Sequence, residues 1–380
     1  MEFRDLKKQY GILKNEIDAA MVEVAASGAY INGASVKNLE EELADYVGVK
    51  HCISCANGTD ALTIALKIWE VGENDAVFVP DFTFFASAET IAAEGATPVF
   101  VDVDTRTFNI SSEDLKRKIE AVRSEGRLKP KAVVAVDLFG LPADYAPLRA
   151  IAEENNLLLL EDGAQGFGGS ICGKKACSFG DIATTSFFPA KPLGCYGDGG
   201  AIFTNNDNWA ALANSYKVHG KGSNKYDNVR IGLNSRLDTI QAAILQVKFK
   251  AFVKNELEDV NRAAKIYSDL LGKCALDSEI KLPYIPEGFT SSWAQYTITL
   301  KTREKRDSLQ TFLKERGIPS MVYYPIPMHL QSAFKKVKSF GECPVAIEHC
   351  NTVLSLPIHP YILEEEISTV VESIKEYFKN

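Results

Sequence analysis

Ser186-Phe187-Phe188-Pro189-Ala190-Lys191-Pro192-Leu193-Gly194-Cys195-Tyr196-Gly197-Asp198-Gly199-Gly200 follows directly on an apolar run at residues 182–185. This is the pattern of a strand that runs out into a loop. Four glycines within seven residues let the backbone turn sharply and approach a ligand closely, and a lysine stands just before them. That lysine has two readings. It is either a solvated loop residue or an amine whose pKa is lowered by burial, the form that condenses with a carbonyl.

Upstream, the run Leu157-Leu158-Leu159-Leu160 leads into Glu161-Asp162-Gly163-Ala164-Gln165-Gly166. Carboxylates thus stand at the end of a strand apolar enough to be buried on both faces. A charge there needs a partner. Asp162 either caps the next turn or faces a protonated ring nitrogen, which it would keep charged so that the ring acts as an electron sink. Further upstream, Asn57-Gly58-Thr59-Asp60-Ala61-Leu62 marks a change from strand-like to helical pattern. The free amides of a helix N-terminus, its dipole and the Thr59 hydroxyl make a cup for a phosphate dianion, although Thr and Asp also cap ordinary helices. A phosphate cup, a strand-end acid and a lysine in a glycine-lined loop are more specific together than any one alone.

Between residues 50 and 205, short apolar runs alternate with segments of helical period, which predicts an α/β fold with a mostly parallel sheet. Strands are expected at residues 77–79, 99–101, 133–136 and 157–160, and helices at 60–69, 87–93 and 145–154. The first 48 residues read as two amphipathic helices that wrap the sheet. Residues 236–258 read as one long helix, after which a strand at 296–300 and a helix at 304–316 mark a second lobe. The expected division is residues 1–248 and 249–380. Prolines at 319, 325, 327, 344, 357 and 360 argue for ordered loops near a site.

Of the 380 residues 46% are hydrophobic, enough for a large core, and the formal net charge of -8 argues against nucleic acid as a partner. The charged N-terminus and the shortness of the apolar runs predict no export signal and no membrane span, hence a cytoplasmic protein. Eight scattered cysteines fit a reducing compartment. Cys52 and Cys55 beside His51 lack a second pair to complete a metal set, so no metal is expected and a buried strand is the reading. A nicotinamide-dependent oxidoreductase is the rival enzyme class, but no G-x-G-x-x-G joins a first strand to its helix.

The chain resembles the DegT/StrS family of sugar aminotransferases over nearly its whole length, most tellingly at residues 55–62, 186–200 and 232–243. Within the family it is most similar to enzymes that aminate C3 of a UDP-linked 2-acetamido-3-oxo-glucuronate. The resemblance implies fold type I of the pyridoxal 5'-phosphate (PLP) enzymes, an aspartate aminotransferase-like fold with a seven-stranded large domain and a smaller C-terminal α+β domain. It implies that Lys191 carries PLP as a Schiff base, that Asp162 pairs with the pyridine nitrogen and that Gln165 approaches the phenolic oxygen. Gly58, Thr59, Asp60 and Ser186 match the phosphate cup, and Phe84 matches the aromatic that stacks on the ring. Asn234 matches a residue that reaches the phosphate from the neighbouring subunit, and Arg236 one that reaches the substrate, which together imply a homodimer with shared sites.

The expected activity is transfer of an amino group, with glutamate as donor, to a nucleotide-linked keto-sugar for glycan biosynthesis. Arg236 and Tyr324 are the expected substrate contacts. Tyr324 is also open to a packing role, and His219 and His329, in loops bordered by glycine or proline, could contact ligand but read better as solvated loop residues. The chain departs from the family pattern at Glu161 and Gly163 beside Asp162, and at Tyr323, where the similar enzymes have histidine near the sugar. A non-catalytic PLP-binding regulator is the alternative, because binding and catalysis would use the same lysine.

Overall fold

The computed structural model describes residues 1–224 and 226–379. The chain forms β1 His51–Cys55, β2 Asp75–Pro80, β3 Thr97–Val101, β4 Lys129–Val136, β5 Leu158–Asp162, a short hairpin of β6 Ser170–Ile171 and β7 Lys174–Lys175, then β8 Ile182–Ser186 and β9 Gly200–Thr204. Among the described residues a seven-stranded sheet has the order β1-β9-β8-β5-β4-β2-β3. Only β9 runs against the others, pairing antiparallel with β1 and β8. The expected mostly parallel sheet is therefore present.

Its strands read as apolar runs because both faces are covered. Side chains alternate, so Val77, Val79, Val134 and Val136 enter one core while Ala76, Phe78, Val133 and Ala135 enter the other. Helices Gly58–Ile68 and Ala86–Ala93 cover the first face, and Ser112–Glu125 and Tyr145–Asn155 the second. The two N-terminal helices, Leu6–Ser27 and Ala34–Val47, pack on helix Thr239–Ala251. Cys52 and Cys55 lie buried in β1.

The helix read at residues 236–258 is corrected at both ends. It starts at Thr239 behind Asp238, passes through a π-helical turn at Phe252–Glu256 and continues as Leu257–Gly272. Before it, Asn234 bridges to Val218 and the extended Asp238 to Ile31. Beyond it β10 Ile280–Lys281, β12 Tyr296–Leu300 and β13 Val353–Leu356 form a three-stranded sheet, while β11 Phe289–Thr290 pairs with β6. Tyr267, Tyr296, Ile298, Leu354 and Ile367 centre this core. Met328, Phe334, Ala346 and Cys350 return to the core of the larger sheet, and carry the loop at Tyr323 and Tyr324 back to the carboxyl edge of its strands.

Candidate active site

The parallel strands β2, β4, β5 and β8 end along one edge, where ligands collect in open α/β sheets. At that edge Lys191 lines a cavity of about 420 Å³ together with Gly58, Thr59, Phe84, Asp162, Gln165, Ser186 and Tyr324. A wider hollow of about 870 Å³, bordered by His219, Arg230 and Ile231, is an open depression of the surface that contains none of these groups. The chemistry belongs to the smaller cavity.

Lys191 is set by a tight loop. Lys191 N–H donates to the Phe188 carbonyl at 2.8 Å, and Phe187 N–H to the Gly199 carbonyl at 2.7 Å. Gly194 is required here, since a Cβ would lie 2.6 Å from the carbonyl oxygens of Phe188 and Pro189. Burial lowers the lysine pKa; Asp162 works against that and Arg4 adds to it. Arg4 reaches this loop by donating from Nη2 to the Pro192 carbonyl at 3.4 Å.

Asp162, at the carboxyl end of β5, is 4% exposed. Its Oδ2 accepts from the Ser87 hydroxyl at 2.7 Å and its Oδ1 from Ala164 N–H at 3.2 Å. Burial raises its pKa, while the Ser87 and Ala164 bonds and Lys191 lower it. Gln165 receives Phe139 N–H on Oε1 at 2.8 Å and donates from Nε2 to the Tyr324 hydroxyl at 3.0 Å. Tyr324 is thereby fixed at the cavity, and burial pushes its phenol up.

At the other end, Asn57 caps helix Gly58–Ile68 by accepting Asp60 N–H at 2.7 Å. Gly58 packs against β8, so that a Cβ there would stand 2.8 Å from the Ser186 Cβ. Asp60 does not line the cavity, and neither do Asn234 and Arg236. Those last two bond each other, Arg236 Nη2 to Asn234 Oδ1 at 2.5 Å, with Asn234 exposed. Between them Ser235 is buried and accepts Ala56 N–H at 3.0 Å, which ties this segment to the loop that leads into Asn57 and Gly58.

Histidine 329 is not the solvated residue expected. Its Nδ1 lies 2.6 Å from Asp81 Oδ2, and its N–H donates to Asp81 Oδ1 at 2.8 Å. His219 has φ 58° and sits at the outer depression. The sequence reading missed Asn57, Thr83, Ser87, Asp198 and Gln295 on the cavity wall. Asn57 was legible as the cap preceding Gly58; Ser87 sits in an ordinary helical stretch, and only the packing of that helix aims it at Asp162.

The family model described as the DegT/DnrJ/EryC1/StrS aminotransferase family matches residues 12–375. The chain belongs to this family. It is 42% identical over 374 residues to the UDP-2-acetamido-2-deoxy-3-oxo-D-glucuronate aminotransferase of Pseudomonas aeruginosa, covering 98% of this chain and 99% of that protein. It is 43% identical over 377 residues to a protein of Geobacillus stearothermophilus named pleiotropic regulatory protein, covering 99% and 98%. A crystal structure of a DegT DnrJ EryC1 StrS aminotransferase from Brucella abortus superposes with a TM-score of 0.96 at 46% identity, over 100% of both chains. The fold type I assignment and the aminotransferase class follow.

A DegT/DnrJ/EryC1/StrS aminotransferase implies PLP, and the cavity of this chain fits it. The residue at the helix N-terminus is a glycine whose missing side chain leaves the amide edge open beside Ser186. The buried Asp162 carboxylate has two neutral donors and no salt bridge among the described residues, which suits a protonated ring nitrogen. Lys191 has no side-chain hydrogen bond among the described residues and faces the same cavity.

Proposed function

We propose that the chain transfers an amino group from glutamate to a UDP-linked keto-sugar, with Lys191 as the residue that binds PLP and moves the proton. The observation that carries this is the convergence of Lys191, Asp162 and the Gly58–Thr59 amide edge on one cavity. When bound, PLP supplies a conjugated ring that takes up the electrons left as a proton departs from carbon. Asp162 would hold the proton on the ring nitrogen, with Ser87 keeping the carboxylate charged. Gly58, Thr59 and Ser186 would hold the phosphate, Phe84 would cover the ring, and Gln165 would reach its oxygen. Asp60 contributes through its backbone, which closes the Asn57 cap.

Lys191 serves as acid and base in both halves of the reaction, because burial lowers its amine below the usual lysine range and so eases loss of its proton. Arg236 suits a diphosphate or carboxylate, and Tyr324 presents a hydroxyl to the sugar. Asn234 and Arg236 lie outside the cavity of their own chain, which supports a homodimer in which they complete a partner's site. The exposed Val229 and Ile231 beside them support the same reading, at 52% and 87% exposure. A second lobe within residues 249–380 is supported by the core around Tyr267, Tyr296, Leu354 and Ile367, while Met328, Phe334, Ala346 and Cys350 of that range pack into the core of residues 1–248. Eight free cysteines and the lack, among the described residues, of a helix able to cross a membrane support a cytoplasmic location.

The test is release of 2-oxoglutarate from glutamate by the purified protein, dependent on a keto-sugar, across UDP- and dTDP-linked 3-oxo and 4-oxo sugars with and without a uronate carboxyl. Turnover with the UDP-linked 3-oxo-uronate is expected. PLP binding with no turnover on any arm overturns the proposal and favours the regulator, a reading supported by the relative that bears a regulatory name.

A further inference from the structure

Directly behind Asp162 lie two more carboxyl groups that the proposed chemistry does not use. Asp137 follows β4 and Glu161 precedes Asp162 in β5; both are 0% exposed, and because Ala135 pairs with Glu161 across the two strands, Asp137, two residues further on, points to the same face of the sheet beside it. Among the described residues neither has a salt bridge to Lys, Arg or His. The groups facing them are Tyr145, Cys177 and Asp162, none of which carries positive charge. Two bare carboxylates side by side in such a place would repel each other without compensation, so the pair retains one proton.

The donors decide where it sits. Glu161 Oε1 accepts Cys177 N–H, and Oε2 accepts Phe179 N–H at 2.7 Å and Gly180 N–H at 3.0 Å. Three amides thus favour charge on Glu161. Asp137 Oδ1 accepts Ala143 N–H at 2.9 Å and the Tyr145 hydroxyl at 2.8 Å, but Oδ2 has no donor. Asp137 is also wedged under the turn that follows β5. A Cβ on Gly166 would fall 2.3 Å from the Asp137 Cβ and 2.4 Å from Oδ2, and Asp137 N–H donates to the Asp162 carbonyl at 3.1 Å.

We propose that Asp137 is a permanently protonated positioning residue, which donates from Oδ2 to the Glu161 carboxylate and so seats the turn that aims Asp162 and Gln165 into the cavity. The positioning half rests on the cofactor role proposed for Asp162; the protonation half does not.

Asn is the isostere of a protonated Asp, since its amide oxygen accepts from Ala143 and Tyr145 while its NH2 donates to Glu161. Infrared difference spectra of the purified protein at neutral pH should show a protonated-carboxyl C=O stretch that disappears in D137N. A band that persists in D137N overturns the protonation. In PLP titrations D137N should keep the wild-type dissociation constant within about threefold and D137A should weaken it about tenfold or more, because the alanine leaves buried donors unpaired. D137N as damaging as D137A, or D137A without effect, overturns the positioning role. If D137A does not fold, D137N decides alone. Absent transaminase turnover with these spectra and affinities intact counts against the proposed function and not against the pair.

Discussion

The hydroxyl of Ser87 donates to Asp162 Oδ2 at 2.7 Å, from the second residue of helix Ala86–Ala93. The bond stabilises the charged carboxylate and lowers its pKa against the upward push of burial. Removing it in S87A raises the pKa, so the acid limb of the pH–rate profile should move to higher pH. The loss of a bond to a charged group should cost about tenfold or more in kcat/KM. An unmoved acid limb in S87A would reject the role given to Ser87.

Histidine 329 couples stability to pH. The Asp81 hydrogen bond raises its pKa above the usual 6.5 while burial opposes, with Lys118 lowering it and Asp102 raising it. The folded chain therefore holds this proton more tightly than the unfolded one. The stabilisation is fully present below pH 6.5 and is lost as pH rises through the higher folded value. Melting temperature should fall over that window in the wild type and fall less in H329Q, whose side chain does not titrate. Equal slopes would show that the pair contributes nothing.

Two glycines should respond oppositely to alanine. Gly11 lies in helix Leu6–Ser27 with nothing within 4 Å of a Cβ, so G11A should stabilise the chain by about 1 kcal/mol in chemical denaturation. A Cβ on Gly58 would stand 2.8 Å from the Ser186 Cβ, and G58A must displace the strand end that closes the proposed phosphate cup. Its cost should be about 1–3 kcal/mol in stability, together with weaker PLP binding. PLP affinity unchanged in G58A would move the phosphate elsewhere.

Shared sites can be tested by complementation. If the proposed homodimer shares its sites, K191A and R236A chains should each be nearly inactive alone, with K191A giving no borohydride-fixed PLP on the peptide around residue 191. Co-expression of the two tagged chains should restore about a quarter of wild-type activity, since half of random pairs are mixed and each mixed pair has one intact site. No recovery in isolated mixed dimers would place Arg236 in its own chain's site.

Local chemistry made much of this protein legible without coordinates. Val133 to Val136 and the leucines before Glu161 could be read as buried strands because a sheet covered on both faces tolerates little else. Gly58, Asp162 and Lys191 could be read as a set because they occupy a helix start, a strand end and the glycine-lined loop beyond a strand, where backbone groups and charges are left to be satisfied. Helix ends were legible only within a few residues, and at the start at Thr239 the chain is held by distant partners, Asp238 bridging to Ile31 and Thr239 N–H donating to the Tyr30 carbonyl. What only the tertiary structure decided were contacts across long separations: Ser87 with Asp162, Asp81 with His329, and Gln165 with Tyr324. A side chain's type and period reveal that it is buried or exposed, but its partner is chosen by the packing of whole elements, which no local pattern encodes.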